Sequence, residues 1–428
     1  MAPAEPTTTT RTCAARTDCP AVTPGAITAH GAGEPGPLYA HLRRDHPVFH
    51  DPALDAWVVS RHTDIDTVLR DADGTFSTAL GYLPLQRLCP QAQAELERSA
   101  AVPVLSSLDP PHHARFRRQM TAVFPSTDRR VHDVDGLLRD AARHAAERFA
   151  ARAGHTGDLV DDWARPLATA ALGHLAGIPP EDQPALIGRA AALTPLVWGH
   201  LDDTGQTSAA RALNDLFAYC HALTGQRART LGDDLVSGWL RHQDADGQRF
   251  TTREVASTLM EVLITNAEIT PRLLVNILYR LLETGTWQRA HHARWLPDAI
   301  EETLRHDPPL TGWLRNTTRE VRLSGVRVPA GARLLLLLAS AARDEDHPVT
   351  APDTYDPART DAPPLLAFGA GIHYCPGAPY TRRLAHHALT ALADLCPGLA
   401  LADPHQAHPD TWPLNAALRS PAHLMTTW

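Results

Sequence analysis

Cys375 stands in the stretch FGAGIHYCPG, residues 368 to 377, among three glycines, two aromatics and a histidine. A thiolate is a soft metal ligand, and its basicity depends on how many N–H groups point at the sulfur. Gly369, Gly371 and Gly377 would let the backbone close in and turn those donors inward. The segment that follows, APYTRRLAHHALTALADL, is helical in pattern, so the sulfur falls just before a helix N-terminus, whose dipole favours an anion. One thiolate without a companion cysteine cannot hold a structural zinc or an iron–sulfur cluster, but it can hold one axial position of a haem. The competing reading is an ordinary buried cysteine in a glycine-rich turn. The remaining cysteines, Cys13, Cys19, Cys89, Cys220 and Cys396, form no C-x-x-C pair and no compact disulfide framework, which suits a reducing cytoplasm.

A second concentration of chemistry lies in TTREVASTLMEVLITNAEITPRLLVNILYRLLETG. Thr251 and Glu254 have capping-box spacing, apolar residues recur at Val255, Leu259, Val262 and Leu263, and Gly285 supplies a stop. A helix of roughly 30 residues, about 45 Å long, must cross the molecule and be central. Asn266, Glu268 and Thr270 interrupt the face it should bury, and a cavity is the simplest reason for such polar groups. Pro271 removes the donor for the carbonyl of Ala267, so the helix is expected to bend or open there.

These residues need a frame to position them. The chain of 428 residues, 43% hydrophobic, can bury one large core or two tightly joined lobes. Its net charge of -8 removes the global pull a nucleic-acid binder would use, and no apolar run is long enough to span a membrane. The basic residues are all arginine. Residues 1–35, rich in Thr, Ala and Pro, are expected to form a mobile tail, and 36–428 a single domain. Within it, PVFH and AWVVS predict two strands around the turn DPALD, flanked by helices. Helical periodicity dominates from 125 to 245, and VRLSGVRVPAGARLLLLLAS predicts a second small β region in which PAG turns the chain. The sum is a mainly α protein with minor β.

FGAGIHYCPG resembles, at every fixed position, the haem-binding signature of the cytochrome P450 family. EETLRHDPPL resembles its helix with a structural Glu–Arg pair, here Glu302 and Arg305, and LDPPHHARFRR the bacterial helix that brings His113 and Arg117 to the haem propionates. WLRNTTRE carries Arg315 where the family places another propionate-binding arginine. The similarity runs from about residue 36 to the C-terminus. It implies a triangular helical prism with small sheets on one side, haem b ligated by Cys375, and a binding shell of His113, Arg117, Arg315, His373, Phe368, Gly369 and Gly377. A haem's two carboxylates would pair with the His and Arg members by charge-assisted hydrogen bonds.

The likeness breaks over the haem's open face, where the family reads Ala-Gly-x-(acid)-Thr and this chain reads Thr265, Asn266, Ala267, Glu268, Ile269. The family's threonine helps deliver the protons that O–O cleavage requires, and Ile269 has neither donor nor acceptor. Thr270 comes one residue late, about 100° around a regular helix. Thr354 also stands where an arginine often completes the Glu302–Arg305 network, unless Arg359 substitutes. The leading expectation is therefore an oxygenase acting on a small-molecule intermediate with dioxygen and electrons from a ferredoxin and its reductase, protons coming from Glu268, Asn266, Thr270 or the substrate. The alternative is an atypical haem-thiolate catalyst: oxidative coupling, C–N bond formation, or nitrene-type transfer from an N–O substrate. A binding module that merely keeps the fold is the third reading, which the retained Cys375 argues against. Leu83, Leu85, Leu88 and Trp198 are candidates to line the pocket, and Arg115, Arg118, Arg382 and Arg383 to meet an acidic electron donor.

Overall fold

The computed structural model describes residues 33–82, 84–99, 103–292, 294–347, 349–413 and 415–428, together with Ile27. Helices dominate, and the expected hairpin forms: Val48–Asp51 pairs antiparallel with Ala56–Val59, Val48 opposite Val59. It is one edge of a five-stranded sheet. Ala56–Val59 runs parallel to Arg333–Leu336, which pairs antiparallel with Trp313–Thr317, and that strand pairs with Phe76–Ser77. Trp313–Thr317 escaped the sequence reading because Arg315, Asn316 and Thr317, all buried here, hide any apolar alternation.

The second β region differs in its turn. Val321–Leu323 and Val326–Val328 form a hairpin closed by Ser324 and Gly325, both at positive φ (44° and 78°) as a two-residue hairpin turn requires. The PAG stretch instead carries the chain on into Arg333–Leu336 of the main sheet.

The central helix, Thr252–Glu283, has 32 residues. Its capping box is complete: the Thr251 hydroxyl accepts from the Glu254 amide at 3.2 Å and the Glu254 carboxylate from the Thr251 amide at 2.8 Å. It packs against Arg165–Ala176, Gln183–Ala191, Asp203–Arg229 and Trp295–His306. Of the two outcomes expected at Pro271, opening does not occur, and α-helical structure continues through it. Leu273, Leu274 and Val275, at most 1% exposed, hold the following turn in the core, and that packing outweighs the lost backbone bond.

The expected tail lies mostly outside the described residues, but its described part is tied down. Ile27 is buried, the Gly33 amide donates to the Pro409 carbonyl at 2.9 Å, and Glu34 pairs with Arg280 at 2.9 Å. Among the described residues no helix is long and apolar enough to cross a membrane.

Trp295–His306 carries the ion pair that ties this end of the molecule together. Arg305 meets Glu302 with two bonds of 2.7 and 2.8 Å, and Arg359 adds a longer one of 3.4 Å from the position left open by Thr354. Beside it Asp307, 1% exposed, accepts from Arg280 at 2.5 Å, Arg419 at 2.7 Å and His306 at 2.7 Å. Burial alone would raise its pKa, but His306, Arg280 and Arg419 hold it well below the usual carboxylate range. Removing one partner of a buried network strands the other charges. Asp307→Asn should cost about 3–5 kcal/mol in denaturant unfolding. Because the folded pKa is depressed, the wild-type advantage should be full above the unfolded value of about 4 and fade as the pH falls below it.

Candidate functional site

Cys375 borders a cavity with about 270 Å³ open to water-sized molecules, roofed by the central helix. The sulfur is positioned by backbone. The Cys375 amide donates to the Phe368 carbonyl at 2.9 Å, and the Cys375 carbonyl accepts from Ala378 at 3.4 Å as Ala378–Leu395 begins. Gly369 and Gly371 are left-handed, at φ 70° and 66°. A Cβ on Gly371 would lie 2.3 Å from the Leu69 carbonyl oxygen, so the loop is pressed against backbone at the end of His62–Leu69. Gly377 has an ordinary φ of -84°, and a Cβ there would sit 3.7 Å from the Cys375 sulfur. Its smallness keeps the sulfur's flank clear and is not needed for the turn.

Burial raises the pKa of the Cys375 thiol, while the Gly377 amide, Arg117, the Ala378 amide and Arg382 pull the other way. Two amides and two arginines on the sulfur's side are the surroundings that would stabilise its anion as a ligand. Among the described residues Cys375 is the one cysteine in the cavity wall, since Cys89, Cys220 and Cys396 are buried elsewhere.

Arg117, Arg315 and His373 line the same cavity. His113 packs on His373 with ring centroids 4.3 Å apart, and its Nε2 is buried without a hydrogen-bond partner. Arg315, 3% exposed, donates only to its neighbour's carbonyl, at 2.8 Å. Burial lowers its pKa to about 10, partly offset by Asp109, so it stays charged at neutral pH. Burial, then Arg315, His113 and Arg117, push His373 down to about 3. Among the described residues no carboxylate lies within ion-pair distance of Arg117 or Arg315. Two arginines without a counter-ion, Arg315 buried and Arg117 half-buried, beside a buried histidine nitrogen without a partner, call for an anion, and a haem's two propionates fit that demand beside a thiolate ligand. Phe368 and Gly369 also line the cavity, and Arg382 lies 4.6 Å above the Phe368 ring.

On the opposite wall Thr265, Asn266, Glu268, Ile269 and Thr270 all contribute. Asn266 donates to the Ala168 carbonyl at 2.8 Å and accepts from the Thr270 hydroxyl at 3.3 Å, so Thr270 reaches the cavity although it comes one residue late. Asn266 also borders a separate cavity of about 20 Å³ behind the helix. Glu268 is tied to Arg272 at 2.9 Å, and Arg272 to Ser420 at 2.8 Å. The Thr265 hydroxyl turns back onto the Glu261 carbonyl at 3.0 Å. Ile269 adds an apolar patch.

Of the pocket candidates, Trp198 lines the cavity; Leu85 and Leu88 pack in neighbouring clusters, and Leu83 lies outside the described residues. The four docking arginines are not a free basic face. Arg115 pairs with Glu254, Arg118 with Asp246 at 3.6 Å, Arg382 with Glu301 at 2.5 Å and Arg383 with Asp135 at 3.0 Å. Sequence reasoning missed Tyr82, Trp313 and Glu261 as lining residues. Glu261 had a signal: an acid inside an apolar helical run, seven residues before Glu268 and so on nearly the same face.

A family model for cytochrome P450 matches residues 251–392. The nocardicin C N-oxygenase of Nocardia uniformis subsp. tsuyamanensis is 34% identical over 92% of this chain and 95% of its own. The chain is a cytochrome P450. The erythromycin C-12 hydroxylase of Saccharopolyspora erythraea is 32% identical over 80% of this chain and 82% of its own. Among solved structures, cytochrome P450 CREJ in complex with (4-ethylphenyl) dihydrogen phosphate superposes with a TM-score of 0.85 at 29% identity, covering 94% of this chain and all of that one. The protein is thus a haem-thiolate oxidoreductase of small molecules, and Cys375 is the cysteine of its haem-binding signature. In this P450 the Gly371 contact leaves no room to yield, so Gly371→Ala should lower haem content of the purified protein at least several-fold, read as the Soret-to-protein absorbance ratio.

Proposed function

We propose that this P450 oxygenates a natural-product intermediate, using dioxygen and two electrons from a small acidic ferredoxin and its reductase. The observation that carries the oxidative chemistry is the Cys375 thiol set beside Arg117 and Arg315, which have no counter-ion among the described residues. The bound haem would supply dioxygen activation, the thiolate pushing electron density toward O–O cleavage. His113, Arg117, Arg315 and His373 would orient it by charge-assisted bonds to its carboxylates.

The protein's own part on the reacting side is to exclude water and move protons. Ile269, Val262, Leu273 and Leu310 keep the wall apolar. Ile269 cannot relay a proton, Glu268 is held by Arg272, and the Thr265 hydroxyl is turned back. The Thr270 hydroxyl, supported by Asn266, is the group we assign to proton delivery. The choice of natural-product chemistry leans on the relatives' names, which specify oxygenation of nocardicin C at nitrogen and of erythromycin at C-12. For electron transfer, Arg382 and Arg118 sit in partly exposed ion pairs, which a partner's carboxylates can replace at small cost. The free, buried Cys89, Cys220 and Cys396 suit a reducing cytoplasm.

The absent family threonine keeps one other reading in play: transfer from a substrate that already carries an N–O bond, which needs neither dioxygen nor that hydroxyl. Reduced wild-type protein under carbon monoxide should give the red-shifted Soret band of thiolate ligation, and Cys375→Ser should lose it; a wild type without the band overturns the haem-thiolate reading. Turnover that needs no reductant would replace the oxygenase reading by the transferase. For the relay, Thr270→Val should raise hydrogen peroxide released per electron pair at least threefold, and Ile269→Thr should lower it.

A further inference from the structure

Glu261 is 8% exposed on the cavity side of the central helix, and every partner it has is neutral. Its carboxylate accepts from the Leu105 amide at 2.8 Å, the Ser106 amide at 3.0 Å and the Ser106 hydroxyl. No arginine or histidine pairs with it among the described residues, unlike Glu268, Glu302 and Asp307. Burial raises its pKa, and the Ser106 and Leu105 donors only partly offset this. A carboxylate so placed has accepting capacity left and a desolvation cost that a cation would relieve.

Tyr82, Trp198 and Trp313 share its cavity, and Tyr82 is its neighbour. The Tyr82 ring meets Trp313 edge-on at 5.8 Å, Trp313 meets Trp198 at 5.8 Å, and all three line the cavity with Glu261. Tyr82 is near enough to Glu261 for that carboxylate, after burial, to make its hydroxyl harder to ionise. Aromatic faces beside one carboxylate are the surroundings an organic ammonium prefers.

We propose that Glu261, Tyr82, Trp198 and Trp313 form an ammonium-binding subsite in the distal cavity, so that the substrate of this P450 carries a cationic nitrogen set apart from the position oxidised. The proposal rests on the haem-thiolate reading for the reaction but on this chain's own side chains for the specificity. It also gives Glu261 a role separate from proton delivery, since Thr270 lies more than two turns further along the helix.

The test compares two probes that differ in charge alone: 4-phenylbutyltrimethylammonium, whose nitrogen cannot ligate iron, and its neutral tert-butyl carbon isostere. Affinities for the holoprotein are measured by calorimetry, with haem content and the carbon monoxide spectrum recorded on the same samples. Wild type should bind the cation at least tenfold more tightly than the isostere. Glu261→Gln, which keeps an acceptor for the Ser106 loop, should cut that preference at least fivefold without weakening the neutral probe. Ser106→Ala, which leaves the charge in place, should retain it. Equal binding of the two probes by wild type, or a Glu261→Gln preference reduced less than fivefold, overturns the subsite. Loss of the carbon monoxide band would overturn the haem-thiolate reading instead, and the calorimetric preference would still decide the subsite.

Discussion

Positive charge gathered around one half-buried sulfur is the constraint on which this molecule turns. Arg117 and Arg315 carry it, His113 and His373 are held toward their neutral forms, and burial opposes charge at all four positions. Three segments far apart in sequence supply them: the helix His112–Thr121, the strand Trp313–Thr317 and the loop before Ala378–Leu395. Bringing those segments together costs free energy that a dianionic cofactor returns, so binding the cofactor and completing the fold are thermodynamically linked.

The network around Asp307 makes an instructive contrast. There the carboxylate, two arginines and a histidine compensate one another's charge within the protein. One cluster is closed and structural, and the other is open toward a ligand. Glu261 is open in the opposite sense, a buried negative group supplied only with neutral donors. Perturbed or unbalanced charges gathered on the wall of one cavity are a common mark of a place where something else binds.

Much of this was legible in the residues. The capping box at Thr251 and Glu254, the first hairpin and the Glu302–Arg305 pair are local or near-local, and their side-chain chemistry announces them. What the sequence concealed was set by tertiary context. Trp313–Thr317 carries three polar residues that are buried, so its pattern looked like loop. Pro271 carried the usual signal for an opened helix, which packing around Leu273 to Val275 overrode. Arg115, Arg118, Arg382 and Arg383 looked like an unpaired basic face because each finds its acid on a different segment. Of Tyr82, Trp198 and Trp313, which share a cavity with Glu261, only Trp198 was picked out, since the three are brought together only by the fold.

Asn266 occupies the place of a family glycine, and its amide is at once the wall of the distal chamber and the wall of the small void behind the helix. Among the described residues that side chain, fastened to the Ala168 carbonyl, and Leu172 border both spaces. The depth open to a substrate on this side is therefore set by two rotatable side chains and not by backbone alone.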